Sequence, residues 1–150
     1  MYRIVEKLDR YGDPIFEIEK TVKKLKYIFF GKEYFEWKPL TIIAYTRYVN
    51  EQYRFQHYEQ KFRFLSQAKS FLKMYEEYLE MKPFEYRGEK LNPILYNGNS
   101  GIRITYYDPK SYYRRNNYDY GYRLYSNTED FKKMVDNKLD KGKTIKIHNV

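Results

Sequence analysis

The side chains best suited to catalysis are few and scattered along the chain. The 150 residues include two histidines, His57 and His148, and no cysteine. Neither histidine has a neighbouring His, Cys or Asp at the spacing that a zinc site needs. The sequence also lacks the glycine-rich phosphate loops and the G-x-S-x-G turn of serine hydrolases. We therefore predict no catalytic residues, no metal site, no cofactor and a protein that is not an enzyme.

One short motif keeps a second interpretation open, that of a metal-dependent nuclease. Glu36-Trp37-Lys38 has the pattern E-x-K, and Asp13 precedes it. Some nucleases hold magnesium with two such carboxylates and place the lysine near the attacking water. E-x-K arises readily by chance in a chain rich in Glu and Lys, so we favour an exposed strand face for these residues.

The strongest local pattern is a concentration of tyrosine and arginine between residues 106 and 125. This segment contains eight of the chain's 20 tyrosines and three arginines. Tyr and Arg often anchor binding surfaces, because they combine a large contact area with polar groups. Loops held by a rigid scaffold commonly carry binding residues. We predict a partner-binding site formed by Tyr112, Tyr113, Arg114, Arg115, Tyr118, Tyr120 and Arg123.

Three interpretations of this segment are open at the level of sequence. The tyrosines could anchor a protein partner while the arginines pair with its acidic groups. They could instead stack on unpaired bases of RNA or single-stranded DNA while Arg and Lys contact phosphate. Cross-strand tyrosine pairs in an ordinary hairpin would give the same pattern. Asp108 and Asp119 weaken the nucleic-acid interpretation slightly, because phosphate would repel them.

A secondary basic patch lies near the end of a predicted strand. It consists of Lys20, Lys23, Lys24 and Lys26. These lysines could extend a track for phosphate, but lysines that protect an exposed edge strand give the same pattern, which we favour. The net charge of +9 would attract nucleic acid or an acidic protein surface.

The elements that must position these residues are mainly strands. Residues 2–8 and 15–22 alternate apolar and polar around a turn at Tyr11-Gly12-Asp13-Pro14, as in a hairpin. Residues 84–101, rich in Gly, Asn and Pro, read as a loop. Further strands are predicted within residues 25–48, 53–64, 102–107, 120–125 and 144–148.

Two amphipathic helices are predicted, over about residues 66–81 and 127–141. Each has apolar residues at helical spacing and a serine, Ser66 or Ser126, placed to cap its first turn. The whole pattern predicts an α+β fold with a mostly antiparallel sheet. We expect a single compact domain over residues 1–150, with 1–82 and 83–150 as its halves.

The two predicted helices belong to segments that resemble each other. Residues 61–79 and 121–139 align without gaps and share six identities in 19 positions. Duplication of a strand–helix unit would explain this match. A shared strand-and-helix pattern in a biased composition explains it equally well, since two units fall short of a repeat architecture.

The first 80 residues resemble small uncharacterised proteins of tailed phages and prophages from AT-rich bacteria. The likeness lies in YRIVEKLDRYGDPIFEIEK, in the pair Trp37-Lys38 and in FRFLSQAKSFLKMYEEYL. The resemblance implies a phage or mobile-element origin and no particular activity. Proteins of this kind often act on host defence systems, including CRISPR effectors. It therefore implies an inhibitor, anti-CRISPR-like, of a host protein or ribonucleoprotein complex.

Composition and hydropathy complete the functional expectation. No apolar run approaches the ~18 residues that a membrane-spanning helix needs, and the absence of cysteine fits a reducing compartment. We predict a non-catalytic binding protein of the host bacterial cytoplasm that acts by protein–protein contact. Binding of RNA or single-stranded DNA is the alternative.

Overall fold

The computed structural model describes residues 1–26, 32–47, 53–114, 116, 120–141 and 148–149. Sheet dominates these residues, and most strand pairs are antiparallel, so the predicted α+β class is confirmed. The elements are β1 (Tyr2–Leu8), β2 (Pro14–Lys26), β3 (Lys32–Pro39), β4 (Thr41–Arg47), β5 (Tyr53–Glu59), β6 (Lys61–Phe62), α1 (Leu65–Glu80), β7 (Phe84–Tyr86), β8 (Glu89–Gly98), β9 (Gly101–Tyr107), β10 (Tyr113–Arg114), β11 (Tyr120–Gly121), β12 (Leu124–Tyr125) and α2 (Thr128–Leu139).

The chain divides into two compact units that do not follow its order. Unit 1 consists of Met1–Ala44 and Phe55–Leu79, and unit 2 consists of Tyr45–Arg54 and Glu80–Val150. The boundary between Leu79 and Glu80 lies close to the predicted boundary after residue 82. That residues 1–150 act as one domain stays a prediction. Within the described residues, no helix is both long and apolar enough to cross a membrane.

Unit 1 is built on the antiparallel order β1-β2-β3, with β6 beside β2. The predicted hairpin of β1 and β2 is confirmed, and it turns at Gly12, whose φ of +83° favours glycine. The Asp9 carboxylate orders this turn by accepting the N–H groups of Tyr11 and Asp13 at 2.8 and 3.0 Å. Ile18 of β2 is fully buried in the unit, as are Leu40 and Ala68.

The second sheet has the strand order β12-β9-β8-β4-β5, with β7 beside β8, and only the end of β4 and the start of β5 belong to unit 2. β4 enters this unit at Tyr45, which pairs in parallel with Tyr96 of β8. β8 and β9 form a long antiparallel hairpin that ends with Gly98 opposite Gly101. One core of this unit combines α2 with the sheet and contains the buried residues Leu91, Tyr125, Phe131 and Val135.

The predicted loop over residues 84–101 is wrong, because most of it forms β7 and β8. Asn, Gly and especially Pro93 suppressed the strand signal in the sequence. Residues 89–91 of β8 pair with β7, residues 92–98 with β9 and residues 96–97 with β4. Pro93 lies opposite Tyr106 in the register with β9.

The predicted serine caps are also wrong. In α2 the cap is Asn127, whose side chain accepts the N–H of Asp130 at 3.0 Å. In α1 the carbonyl of Phe64 accepts the first helical N–H, from Ala68, so Ser66 is already inside the helix. The predicted duplication stays a prediction. Phe71 and Phe131 are both buried at aligned positions, whereas the helices begin at Leu65 and Thr128, which are not aligned.

The remaining sequence predictions differ in their outcome. Strands are confirmed within 25–48, 53–64 and 102–107, whereas 120–125 holds two short strands, β11 and β12, with different partners. The predicted strand at 144–148 falls on residues that are, except for His148, outside the described ones.

Candidate partner-binding surface

The Tyr/Arg segment is a hairpin attached to the end of β9. β10 and β11 pair through Tyr113 with Gly121 and through Arg114 with Tyr120, and β12 returns to pair with β9. The structure therefore brings together Tyr112, Tyr113, Arg114, Tyr120 and Arg123 of the predicted site. Arg115 and Tyr118 lie outside the described residues.

Asp108 anchors the base of this hairpin. Its carboxylate accepts the N–H of Lys110 at 2.9 Å, and its own N–H donates to the carbonyl of Arg123 at 3.1 Å. The Ser111 hydroxyl donates to the Asp108 carbonyl and accepts the N–H of Arg123, both at 2.7 Å. Asp108 is buried, so its carboxylate serves the loop backbone and is not presented to a partner.

Tyrosine rings fill the space under the hairpin. The ring of Tyr122 lies 5.3 Å from Tyr107, 5.4 Å from Tyr112 and 6.2 Å from Tyr45, measured between ring centroids. The hydroxyl of Tyr45, which is buried, accepts the N–H of Tyr122 at 2.8 Å. Part of the tyrosine signal is thus structural, as the hairpin interpretation proposed.

The outer side of the hairpin keeps aromatic and cationic side chains exposed. Tyr112 is 55% exposed although its ring contacts both Tyr120 and Tyr122. The hydroxyl of Tyr120 accepts two N–H groups of Arg54, at 3.0 and 3.2 Å. Arg114 and Arg123 are exposed beside them. We call the set Tyr112, Tyr113, Arg114, Tyr120 and Arg123 the Tyr112 surface.

The secondary basic patch is divided by the strand that carries it. Lys20 and Lys24 point to one side of β2 and Lys23 to the other, because side chains alternate along a strand. Lys26 pairs with Lys32 in the backbone register. Lys24 also forms an ion pair with Glu36 at 2.9 Å, and the hydrogen bond to this carboxylate raises the pKa of Lys24.

The residues proposed for a nuclease site are not brought together. Glu36 lies between Lys24 and Lys38, at 2.9 and 4.0 Å, and the hydrogen bond from Lys24 lowers its pKa. Glu36 pairs with Val22, whereas Asp13 precedes β2, so about nine residues, roughly 30 Å of strand, separate the two carboxylates. Among the described residues, no group of three or more His, Asp or Glu side chains could hold a metal ion.

Two buried glutamates of unit 1 were missed by the sequence analysis. Glu17 and Glu19 of β2 are 4% and 7% exposed. Lys7 binds Glu17 at 2.8 Å, and this hydrogen bond raises the pKa of Lys7. Burial raises the pKa of Glu19, but Arg3 at 2.6 Å and Lys7 more than compensate, so the pKa is lowered. The hairpin register, which sets Arg3 opposite Glu19, was the signal available in the sequence.

A cavity of about 690 Å³ is lined in part by Glu17. Three of its four basic side chains have acidic partners: Lys7 lies 2.8 Å and Lys61 3.8 Å from Glu17, and Arg63 lies 2.7 Å from Asp9. The cavity therefore has mixed charge, and its ion pairs are made within the protein. No family model, curated protein or solved structure matches the chain.

Proposed function

We propose that the chain is a non-catalytic binding protein whose Tyr112 surface contacts a protein partner. The observation that carries this proposal is the ring of Tyr112, which is 55% exposed and yet held by two neighbouring tyrosines. A ring that is already positioned loses little conformational entropy on binding. Tyrosine is for this reason common at protein-binding sites.

Charge around Tyr112 indicates the kind of partner surface. Arg114 and Arg123 are exposed, and the nearby Asp108 is turned inward to the backbone. The side chains presented are thus aromatic and basic, which suits a partner with apolar pockets and acidic groups. The resemblance of the first 80 residues to phage proteins supports a more specific version, inhibition of a host defence complex such as a CRISPR nuclease.

Binding of RNA or single-stranded DNA by the same surface is the less supported function. Proteins that bind single-stranded nucleic acid without sequence preference combine aromatic rings that stack on the bases with a continuous basic track for the phosphates. The lysine patch on β2 does not provide such a track, since Lys23 and Lys24 face opposite sides and Lys24 is paired with Glu36.

The proposal is tested by using the tagged protein to capture partners from a lysate of the host bacterium. The captured samples, with and without nuclease treatment, are analysed by mass spectrometry. The test variant is Tyr112→Ala/Arg114→Ala. Arg10→Ala/Tyr11→Ala is the matched control, because it removes an exposed Tyr and a stacked Arg from another hairpin, where the guanidinium lies 4.7 Å from the ring centroid.

A stoichiometric protein recovered with wild type and control, resistant to nuclease and lost from the test variant, would support the proposal. Equal recovery by the test variant would show that the site assignment is wrong. Recovery of nucleic acid, with proteins lost on nuclease treatment, would favour the nucleic-acid function instead.

A further inference from the structure

One end of the sheet in unit 1 exposes several large apolar side chains. They come from the end of β1, from the turn that follows it and from the passage between β6 and α1. The exposed fractions are 71% for Leu8, 72% for Tyr11, 64% for Phe64 and 40% for Leu65. Apolar side chains that cluster on a surface mark a site of interaction, whereas scattered ones need no explanation.

An ion pair joins the two segments that carry these side chains. Arg63 binds the Asp9 carboxylate at 2.7 Å, and Leu8 and Phe64 are each adjacent in sequence to a member of this pair. Asp9 also accepts two N–H groups of the turn, which orders the backbone on the β1 side. The apolar side chains therefore extend from an ordered backbone, so less conformational entropy is lost when another molecule binds them.

Space for a docked side chain lies beside Leu8. The cavity of about 690 Å³ in unit 1 has Leu8, Ile15 and Phe62 as apolar walls and Arg10 among its basic ones. Its volume falls within the range of binding sites, so an apolar side chain of another molecule can enter it.

Charged side chains of opposite sign lie on either side of Leu8. Glu6 precedes it by two residues and projects to the same side of β1, because side chains alternate along a strand. Arg10 follows it by two residues and lines the same cavity. Both are exposed, and within the described residues neither forms an ion pair. The guanidinium of Arg10 instead lies 4.7 Å from the centroid of the Tyr11 ring.

This order of acidic, apolar and basic side chains is complementary to a second copy of itself. In a two-fold symmetric interface every contact is made twice, and a residue on the axis meets its own equivalent. An axis at Leu8 sets the two Leu8 side chains against each other and Glu6 of each copy against Arg10 of the other. Each of these charges then gains a partner that it lacks within its own chain.

We propose that a second copy of the chain docks on this surface, with the two-fold axis at Leu8. The Leu8 surface is the set Glu6, Leu8, Arg10, Tyr11, Phe64 and Leu65.

Sedimentation equilibrium of the purified protein tests the proposal. Between about 1 and about 500 µM, the mean mass per particle should rise from that of one chain toward that of two, since so small an interface is expected to be weak. A mass that stayed at one chain over this range would overturn the proposal.

A charge at the axis should prevent the association. Leu8→Glu opposes two carboxylates there, so we expect the association constant to fall roughly a hundredfold or more. Leu79→Glu is the matched control, because Leu79 is another exposed leucine of unit 1, and it should change the constant by less than about twofold. Circular dichroism checks that both variants are folded. Equal association by the two variants would show that the Leu8 surface is not the interface.

Exchanged charges test the contact of Glu6 with Arg10. Glu6→Arg makes both positions positive and Arg10→Glu makes both negative, so each variant alone should associate roughly tenfold or more weakly than wild type. In an equimolar mixture of the two variants every pair has opposite signs, and association should return to within about threefold of wild type. A mixture no stronger than its components would overturn the proposed symmetry.

This inference does not depend on the Tyr112 surface. Tyr112→Ala/Arg114→Ala changes no residue of the Leu8 surface, so it should associate as wild type does. Arg10→Ala/Tyr11→Ala should associate more weakly and still capture the host partner, because it leaves the Tyr112 surface unchanged. The two proposals can therefore fail separately.

Discussion

At the scale of the residue, Tyr125 has a buried ring and a hydroxyl that makes no described hydrogen bond. Its side chain is buried among Leu91, Phe131 and Val135, and within the described residues its hydroxyl has no hydrogen-bond partner. An unsatisfied buried hydroxyl costs free energy. We expect Tyr125→Phe to leave the free energy of unfolding unchanged or to raise it by about 1 kcal/mol, as measured by urea denaturation.

Tyr86→Phe is the matched comparison for this prediction. The Tyr86 hydroxyl donates to the Asp136 carboxylate at 2.9 Å, and this hydrogen bond raises the pKa of Tyr86. Removing the hydroxyl should therefore lower the free energy of unfolding. If Tyr125→Phe were as destabilising as Tyr86→Phe, the hydroxyl of Tyr125 would have a partner after all.

Asp9 predicts a specific dependence of stability on pH. The hydrogen bond from Arg63, at 2.7 Å, and those from two turn N–H groups hold its pKa below the ordinary value. A pKa lowered by folding stabilises the protein above the unfolded pKa, and this contribution disappears as pH falls through the folded pKa. We expect Asp9→Asn to be less stable than wild type at neutral pH and the difference to shrink below about pH 4.

The effect is measured as the urea concentration at the midpoint of unfolding, for wild type and Asp9→Asn, from neutral pH to below about pH 4. Asp13→Asn serves as the control, since it removes a carboxylate from the same exposed turn. A difference between Asp9→Asn and wild type that persisted unchanged in acid would contradict the role of the Asp9 charge.

At the scale of the element, the start of α2 allows the two candidate caps to be separated. Asn127 accepts the N–H of Asp130, while Ser126 precedes it and is exposed. Asn127→Ala should lower the free energy of unfolding by about 1 kcal/mol, the usual value for a lost cap, and Ser126→Ala should change it little. Thermal unfolding of both variants makes the comparison, and the reverse order would restore the serine cap.

The serine caps were predicted one residue too early in α2 and two too late in α1, and the reason is physical. Ser, Asn and Asp can all cap, so a segment such as Ser126-Asn127 contains two candidates that sequence spacing cannot distinguish. In α1 the cap position is held by Phe64, a residue that no cap preference favours. The helices themselves were predictable, because their buried residues Phe71, Phe131 and Val135 recur at helical spacing.

Strands, like helices, were predictable where the sequence pattern is regular and were missed where contacts with distant residues decide the structure. The β1–β2 hairpin was predictable from alternation and from its turn, whereas β8 was not, because its strand character depends on neighbours remote in sequence. β4, some 50 residues away, lies beside Tyr96 and Asn97 of β8. The cavity lined by Arg47, Tyr96 and Arg103 depends on the same pairing, so it could not be predicted from the sequence, whereas the hairpin that carries Tyr112 could.

At the scale of the whole molecule, each unit is made of two separate stretches of the chain. Tyr45–Arg54 belongs to unit 2, although the residues on both sides of it belong to unit 1. Within unit 2, this segment supplies a buried tyrosine ring, a parallel strand pair with β8 and the donor that holds Tyr120. The Tyr112 surface and the cavity lined by Arg47 and Arg103 thus both rely on residues that precede α1.

This arrangement predicts that the C-terminal part of the chain is incomplete by itself. A fragment of residues 80–150 lacks Tyr45, which is 1% exposed and accepts the N–H of Tyr122. We expect the fragment to lose the near-ultraviolet circular dichroism of its packed tyrosines and the cooperativity of unfolding. A synthetic peptide of residues 41–54 should restore part of both signals.

Variants of the full chain test the same dependence without a fragment. Tyr45→Ala should lower the free energy of unfolding by about 3–5 kcal/mol, because it leaves a cavity beneath Tyr122. Tyr45→Phe keeps the ring and loses only the acceptor, so a cost of about 1–2 kcal/mol is expected. A fragment of residues 80–150 that unfolded cooperatively, together with a Tyr45→Ala variant as stable as wild type, would show that the hairpin does not need β4. The Tyr112 surface would then be a self-contained module, carried entirely by residues that follow α1.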